Sequence, residues 1–421
     1  MGKRILLSVF AMVLSLFLGV TGLAQESTVK GNLGGVVVDS TGAVVPGAKV
    51  VLTGPTGTQT ITSENDGSFL FPRLAPGPYS IKVEKQGFKS ADVKNVEVAV
   101  NRTANIKMQL EPGAVNETVE VSADNVTVDT TSTASGSDLN DTFYSKVPTP
   151  RNVSGLFYVA PGVTDSGGAG QSNPSISGSS GLENLYVADG VNITDAAFGG
   201  LGIFTRQYFS VGSGINLTFI KEVQVKTGGF EPQYGSATGG VVQIVTKSGG
   251  QAYHGAIGGY FAPTGFEATR SQIDAVRNNQ IGRLTNEGNY DISGELGGFV
   301  PGFRNNLFFF GAFNPTLGTT YLTPPQFVAS DLNGQGGNPL VPNGLFSQLG
   351  GKQVYTRTFT KNYAAKLTWK LNEKHQLETS VFGDPASTNN SNFRPFSVPT
   401  AVQNTTAYSN WDYGTRNWVM R

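Results

Sequence analysis

Alternating apolar and polar residues predict β structure between residues 27 and 110. In residues 79–84 every second residue is apolar, as in a strand with one buried face and one solvated face. Similar runs, such as residues 33–39, recur about every 8–12 residues and are separated by turn signals such as Asp66-Gly67. This spacing predicts a small β-sandwich. Three carboxylates in it are predicted to form turns rather than to bind calcium: Asp39, Glu64 and Asp66.

A second pattern, two short β runs around a glycine-rich corner, lies in residues 221–250. The runs are residues 223–226 and 241–246, and the corner is residues 228–235. The segment has no histidine, no cysteine and no phosphate-binding glycine spacing. We therefore interpret it as a structural segment without chemistry of its own, one that lies inside or closes a larger object. Upstream, residues 185–191 are predicted to form a strand that ends in an Asp-Gly turn.

The last part of the chain contains a predicted hairpin with two distinct faces. One face carries Ala365, Leu367, Trp369 and Leu371, and then Leu377, Thr379 and Val381. The other face carries Lys366, Thr368 and Lys370, and then Glu378, Ser380 and Phe382. An apolar outer face and a polar inner face are typical of a transmembrane barrel, although a soluble sandwich hairpin shows the same alternation. The aromatic run of residues 308–313 is typical of a strand in a membrane girdle.

The composition supports β structure and excludes several kinds of site. Lys+Arg and Asp+Glu are both 30, so no net charge favours nucleic acid or an anionic membrane surface. The 55 glycines suit turns better than long helices. The absence of cysteine excludes disulfides, thiolate metal sites and cysteine nucleophiles. The two histidines, His254 and His375, lack a metal-ligand spacing, and no enzyme or nucleotide motif occurs, so neither catalysis, a metal nor a cofactor is predicted.

Residues 1–24 have the pattern of a cleaved secretory signal peptide. Lys3 and Arg4 precede an apolar core at residues 5–20, and small residues precede a cut at Gln25. The alternative is an N-terminal membrane anchor, but the apolar run is short for a span of about 20 residues. No later run reaches about 18 consecutive apolar residues. We therefore expect an exported chain that enters a membrane only as a closed β-barrel.

Four segments of the predicted sandwich, residues 34–39, 46–50, 66–69 and 74–79, carry its turns and core aromatics. Together they resemble the carboxypeptidase regulatory-like domain, and the resemblance covers residues 27–110. It implies a transthyretin-like sandwich with a carbohydrate-binding-like fold. It implies no peptidase activity.

A predicted linker, residues 111–123, follows the sandwich. Within it, Glu117, Thr118, Val119, Glu120 and Val121 form an acidic-hydrophobic segment that resembles the TonB box of outer-membrane receptors. An ordinary strand has the same pattern. The resemblance implies that a TonB-type energy-coupling protein of the periplasm binds these residues by adding the extended segment to the edge of its own sheet.

Residues 124–249 carry an ordered series of motifs, among them Arg151-Asn152, residues 160–163, residues 186–191 and Gln233-Tyr234-Gly235. The series resembles the plug domain of TonB-dependent receptors and is most similar to the Oar-like branch, which also has an N-terminal regulatory-like sandwich. The resemblance implies that residues 241–246 form the last plug strand and residues 247–250 the hinge into a barrel. It also implies that the outward loops, residues 165–180 and 196–213, contact the ligand.

Residues 250–421 are predicted to be the N-terminal part of an outer-membrane β-barrel. About 22 strands of roughly 10 residues need on the order of 220 residues, more than this region has. We therefore expect a truncated barrel, with residues 324–351 as an extracellular loop. The predicted fold class is mainly β: a transthyretin-like β-sandwich, an α+β plug domain and an incomplete transmembrane antiparallel β-barrel.

The resemblance implies a TonB-dependent receptor in the outer membrane of a Gram-negative-type bacterium. It would take up a ligand of the siderophore or glycan class through a TonB-type partner, in contact with outer-membrane lipid and without nucleic acid. The resemblance identifies no individual ligand-binding residue. The alternative is a secreted or surface protein, adhesive or carbohydrate-binding, in which the sandwich is the working domain.

Overall fold

The computed structural model describes most of the chain after residue 28. The described residues are 29–113, 118–120, 126–127, 135–147, 153–165, 173–195, 200–201, 203–205, 209–211, 215–235, 237–263, 283–323, 354–372, 375–389, 410–413 and 416–420. The predicted signal peptide and the predicted loop at residues 324–351 lie outside them. The described strands belong to an N-terminal sandwich, a central sheet with two small hairpins beside it, and a long-stranded sheet.

The N-terminal sandwich consists of nine described strands in two sheets. They are β1 (Gly31–Asp39), β2 (Lys49–Gly54), β3 (Gly57–Thr62), β4 (Ser68–Leu74), β5 (Gly77–Glu84), β6 (Ser90–Val98), β7 (Thr103–Leu110), β8 (Thr118–Glu120) and β9 (Val126–Thr127). One sheet has the order β4-β1-β7-β9 and the other β3-β2-β5-β6-β8. Between the sheets, Tyr79, Ile81 and Val83 of β5 are buried, which confirms the alternation predicted for that strand.

The predicted turns of the sandwich are confirmed by side-chain contacts. The Asp39 carboxylate accepts hydrogen bonds from the backbone amides of Thr41 at 2.8 Å and Ala43 at 2.9 Å. The Asp66 carboxylate accepts one from the Ser68 amide at 2.9 Å, and the Glu64 carbonyl accepts one from the Gly67 amide at 3.0 Å. The pKa of Asp39 is lowered, chiefly by the Thr41 hydroxyl. The carboxylates of Asp39 and Asp66 therefore close loops, as Asx turns do, whereas Glu64 takes part in its turn through the backbone carbonyl.

Two short strands beyond Leu110 extend the sandwich. They lie in residues that are predicted to be linker (β8) and the start of the plug domain (β9). The strand β8 pairs in parallel with β6, and β9 pairs antiparallel with β7. Each adds backbone hydrogen bonds to a sheet edge, which a pattern of two or three residues cannot predict because the partner is distant in sequence. Part of the predicted linker therefore lies against the sandwich.

The central sheet has the order β10-β17-β18-β13-β14. Its strands are β10 (Ser135–Asn140), β13 (Leu185–Ala188), β14 (Val191–Asn192), β17 (Ile220–Gly228) and β18 (Val241–Thr246). Beside it lie two small hairpins, β11 (Val163–Thr164) with β12 (Ser175–Ile176) and β15 (Ile203–Thr205) with β16 (Phe209–Val211). Two short α-helices, α1 (Asp141–Tyr144) and α2 (Val153–Phe157), and 3₁₀ turns at Leu217–Phe219 and Pro232–Tyr234 complete this region.

The glycine-rich segment of residues 221–250 forms the middle of the central sheet. Its two predicted strands are confirmed as parts of β17 and β18, which pair antiparallel with Val223 opposite Ile244. All six residues of β18 are buried. The corner between them turns at Gly229, which has a φ of 63°, and places Tyr234 against Leu185 and Val187. The two strands of this segment therefore lie inside the molecule, whereas Pro232 and Gln233 of the corner are exposed.

The long-stranded sheet is antiparallel and follows the order β19-β20-β21-β22-β23-β26, with β24 and β25 attached beside β22. Its strands are β19 (His254–Pro263), β20 (Arg283–Phe299), β21 (Leu307–Thr323), β22 (Val354–Lys370), β23 (Gln376–Gly383), β24 (Ala386–Asn389), β25 (Asn410–Tyr413) and β26 (Arg416–Met420). The predicted faces of the hairpin β22–β23 are confirmed, with Leu367 and Trp369 exposed and Lys366 and Ser380 buried. On the buried face, Ala364 and Phe382 pack into the core of the central sheet.

Candidate functional site: the contacts that hold the central sheet

A buried ion pair joins the central sheet to the long-stranded sheet. The Lys366 ammonium on β22 lies 3.2 Å from an Asp189 carboxylate oxygen, and both side chains are almost fully buried. Asp189 also accepts hydrogen bonds from the Thr246 amide at 3.0 Å, the Thr246 hydroxyl at 2.5 Å and the Ser380 hydroxyl at 3.2 Å. We call these four residues the Asp189–Lys366 cluster.

Local structure explains how each member of the cluster reaches its position. Asp189 and Gly190 form the turn between β13 and β14 with φ values of 46° and 82°, a left-handed pair that aspartate and glycine tolerate. Thr246 ends β18, the neighbouring strand. Lys366 and Ser380 come from the inward positions of the hairpin β22–β23. Because charges lose hydration when they are buried, such a pair holds two elements together only while every partner stays in place.

The segment that leaves the central sheet also lies tightly against the long-stranded sheet. Lys247 donates to Glu295 of β20 at 2.8 Å, and both side chains are largely buried. Gly249 comes so close that a Cβ atom there would lie 2.2 Å from the Phe309 carbonyl oxygen and 2.5 Å from that of Gly298. Only glycine permits this approach of backbone to backbone. We call residues 247–251 the exit segment.

The N-terminal sandwich contacts the central sheet through the loop between β6 and β7. The Val100 amide donates to the Glu222 carboxylate at 3.1 Å, and the Val100 carbonyl accepts from the Gln224 side-chain amide at 3.0 Å. Next to them, Asn101 donates to the Gln243 side chain at 2.9 Å. Glu222, Gln224 and Gln243 are buried, so the sandwich replaces the water that these polar groups would otherwise bind.

Burial raises the pKa of Glu222 to about 8, against an ordinary value of 4.5, and the Val100 amide lowers it only in part. The folded protein therefore binds a proton between about pH 4.5 and pH 8 that an unfolded chain releases. The stability that Glu222 contributes is consequently full below pH 4.5 and is lost as the pH rises through about 8. The pKa of Glu97 nearby is also raised, chiefly by partial loss of hydration.

Replacing Glu222 by Gln is expected to flatten this pH dependence. A glutamine oxygen can still accept the Val100 hydrogen bond, but it has no proton to lose. The free energy of unfolding, measured by urea titration from pH 5 to pH 9, should fall less steeply for Glu222→Gln than for the parent chain. Glu111→Gln, at an exposed carboxylate, serves as the control and should keep the parent slope. Identical slopes for both variants would contradict the assignment of the proton to Glu222.

The TonB-box-like residues are only partly described. Thr118, Val119 and Glu120 form β8, whose backbone lies opposite Ser90, Ala91 and Asp92 of β6. Glu117 and Val121 lie outside the described residues. Among the described strands, β8 is the last in its sheet.

The loops predicted to contact a ligand are also described only in part. Within the first, β12 pairs with β11, and the Asn173 side chain accepts a hydrogen bond from the Leu201 amide at 2.7 Å. Within the second, β15 and β16 form a hairpin. In the described part of the chain, no group of three or more His, Asp or Glu side chains could hold a metal ion. Among the same residues, no helix is long and apolar enough to cross a membrane.

Two known domain families match this chain. The family described as Carboxypeptidase regulatory-like domain matches residues 32–111, and the family described as TonB-dependent Receptor Plug Domain matches residues 127–242. These matches confirm the predicted order of a regulatory-like sandwich and a plug domain in a mainly β fold. The plug domain is that of the TonB-dependent transporter family, which is not enzymatic, in agreement with the prediction that the protein is not an enzyme.

A curated relative, the TonB-dependent transporter Oar of Myxococcus xanthus, is 30% identical over 392 residues. The match covers 89% of this chain and 35% of that protein, so the chain spans about a third of the length of this relative.

Two solved structures of outer-membrane proteins share a more distant similarity. The outer membrane transporter YddB from Escherichia coli is 14% identical over 68% of this chain and 36% of its own, with a TM-score of 0.45. The ferric enterobactin receptor PfeA from Pseudomonas aeruginosa is 17% identical over 65% of this chain and 36% of its own, with a TM-score of 0.43.

Proposed function

This chain belongs to the TonB-dependent receptors, and from that premise we propose that it acts in ligand uptake across the outer membrane. The central sheet is the plug, and the long-stranded sheet is the part of the barrel wall that surrounds it. A TonB-type protein in the periplasm supplies the energy. The ligand is of the siderophore or glycan class, and outer-membrane lipid surrounds the wall.

The Asp189–Lys366 cluster is the observation that carries this proposal. It ties the plug to the inner face of the wall, whereas the other face of the same sheet is apolar. Ile257, Phe261 and Leu296 are exposed there, with Ile257 92% exposed. An apolar outer face and a polar inner face with a domain seated on it are what a plugged membrane barrel requires.

The TonB-type partner binds Glu117, Thr118, Val119, Glu120 and Val121 in this proposal. An extended segment at a sheet edge can pair with a strand of a partner through backbone hydrogen bonds, which is the mode called β-augmentation. A pull on that segment reaches the plug through the following residues. The plug then moves relative to the wall and opens a path for the ligand.

Deleting residues 117–121 is expected to weaken binding of the partner strongly. The probe is the purified periplasmic part of the TonB-type protein from the same bacterium, and its affinity for the full chain in detergent is measured by surface plasmon resonance. We expect at least a 10-fold loss, because the backbone groups that would pair with the partner are removed. A deletion of equal length at residues 328–332 serves as the control and should bind like the parent chain. Unchanged binding after the first deletion would refute the proposed coupling segment.

Cell fractionation separates this function from the alternative of a secreted adhesive or carbohydrate-binding protein. We expect the protein in the outer-membrane fraction. Its recovery from the soluble periplasm or the medium would support the alternative, in which the sandwich is the working domain.

A further inference from the structure

The N-terminal sandwich contacts three strands of the central sheet and the exit segment. Its loop between β6 and β7 contacts β17 and β18 through Val100 and Asn101, as described above. Arg102 donates to Asp138 of β10 at 2.8 Å. The carbonyl of Pro55, in the β2–β3 turn, accepts a hydrogen bond from the Gln251 amide of the exit segment at 2.9 Å.

A fourth contact fixes the sandwich to the wall itself. Lys30, directly before β1, lies 2.5 Å from Glu378 on the inner face of β23, and both side chains are largely buried. The sandwich therefore bridges the plug and the wall in addition to the direct contacts between those two parts.

We propose that the sandwich is a clamp that holds β10, β17, β18 and the exit segment against the wall, and that it must undock before the plug rearranges. The N-terminal sandwich thereby gains a role, which the proposed transport function alone does not give it. It does not depend on the identity of the ligand or of the periplasmic partner.

The chemistry of the contact suits a clamp that can release. Only one small apolar cluster, Val29, Val100 and Val245, links the described parts of the sandwich and the plug. The remaining contacts are polar, and the buried Gln224 side-chain oxygen has no hydrogen-bond partner among the described residues. Undocking would hydrate these groups, and their hydration would offset part of the free energy needed to separate the sandwich from the plug. A well-packed apolar interface would offer no such offset.

A disulfide between the sandwich and the exit segment tests the clamp directly. A Cβ atom at Gly250 would lie 3.8 Å from the Cβ atom of Pro55, within the range of disulfides, although the nearby Pro55 carbonyl oxygen at 2.8 Å must shift slightly. The chain has no cysteine, so Pro55→Cys with Gly250→Cys introduces the two thiols alone. Hydrogen exchange of the β17 and β18 amides is then compared between the oxidised and the reduced chain.

We expect oxidation to slow exchange of these amides at least 10-fold, because local opening of the plug would require the clamp to leave. The control is Thr53→Cys with Thr58→Cys, a cross-strand pair within the sandwich whose hydroxyls are 3.5 Å apart. Its oxidation should leave β17 and β18 unchanged. Equal exchange in the oxidised and reduced forms of the Pro55–Gly250 variant would overturn the proposal.

A second pair of variants decides the question if the disulfide does not form. Asn101→Gly removes the hydrogen bond to Gln243 and keeps a backbone with a φ of 54°, which glycine tolerates. Asn95→Gly is matched to it, since Asn95 lies on the same domain with a φ of 61° and is exposed. Faster exchange of β18 amides in Asn101→Gly alone supports the clamp. Equal rates in the two variants overturn it.

Discussion

Replacing Asp189 by Asn should lower the free energy of unfolding by about 3–5 kcal/mol, the usual cost of removing one partner of a buried ion pair. The substitution keeps the shape of the side chain, and asparagine tolerates the left-handed backbone at this position. The loss therefore comes from the charge. The substitution leaves the Lys366 ammonium buried without a charged partner, with the Thr246 carbonyl and hydroxyl oxygens at 3.4 and 3.3 Å.

Replacing Lys366 by Met should cost less than Asp189→Asn. The Asp189 carboxylate would still accept hydrogen bonds from the Thr246 amide and hydroxyl and from the Ser380 hydroxyl. A carboxylate with several donors tolerates burial better than an ammonium with two long contacts. Urea titration of the chain in detergent, followed by tryptophan fluorescence, ranks the two variants.

The double variant measures how strongly Asp189 and Lys366 stabilise one another, apart from their contacts with other groups. Asp189→Asn with Lys366→Met removes both charges, so the loss should be smaller than the sum of the two single losses. Lys361→Met, an exposed lysine on the same strand, serves as the control for loss of positive charge. Additive losses would mean that Asp189 and Lys366 do not stabilise one another, and the proposed tie between plug and wall would be lost with them.

Replacing Gly249 by Ala is the second variant with a large expected effect. The added Cβ would collide with two carbonyl oxygens of the wall, and neither can move without distorting its own strand. Overpacking of this kind costs about 1–3 kcal/mol and should lift the exit segment from the wall. Protease digestion should then cut residues 247–251 faster than in the parent chain.

Gly311→Ala is the matched control for Gly249→Ala. Gly311 lies on β21, the strand that carries Phe309, and a Cβ atom there would meet no heavy atom within 4 Å. This variant should keep the parent stability and the parent cutting rate. If the two variants behave alike, glycine at position 249 is needed for some reason other than close approach.

Elements formed by neighbouring residues could be predicted from the sequence. The hairpin β22–β23 follows from strict alternation over adjacent strands, and the turn at Asp189-Gly190 follows from residue types that accept a positive φ. The turns at Asp39 and Asp66 follow in the same way, because each carboxylate binds backbone amides within a few residues. Local chemistry decides all of these features.

The candidate site could be predicted only in part. The sequence indicated that Lys366 points inward, but its partner lies 177 residues away, and no local pattern connects them. Glu222 follows a lysine and resembles a surface residue, yet the sandwich buries it through contacts with Val100, 122 residues distant. The pairing of β8 with β6 was missed for the same reason. Partners that are remote in sequence leave no periodic signal.

The position of β10 at the edge of the central sheet determines how a pull on the upstream chain would be resisted. The chain reaches the sheet at Ser135, and β10 pairs antiparallel with β17, starting with Ser135 opposite Gly228 and an irregular step to Gly136. A load applied at that end and directed across the strands would strain one residue pair at a time, whereas a load directed along the strands would strain all pairs together in shear. Only Leu139 of β10 is buried. A load across the strands would therefore act first on β10 and on the Arg102–Asp138 contact, before it reaches β17 and β18 behind them.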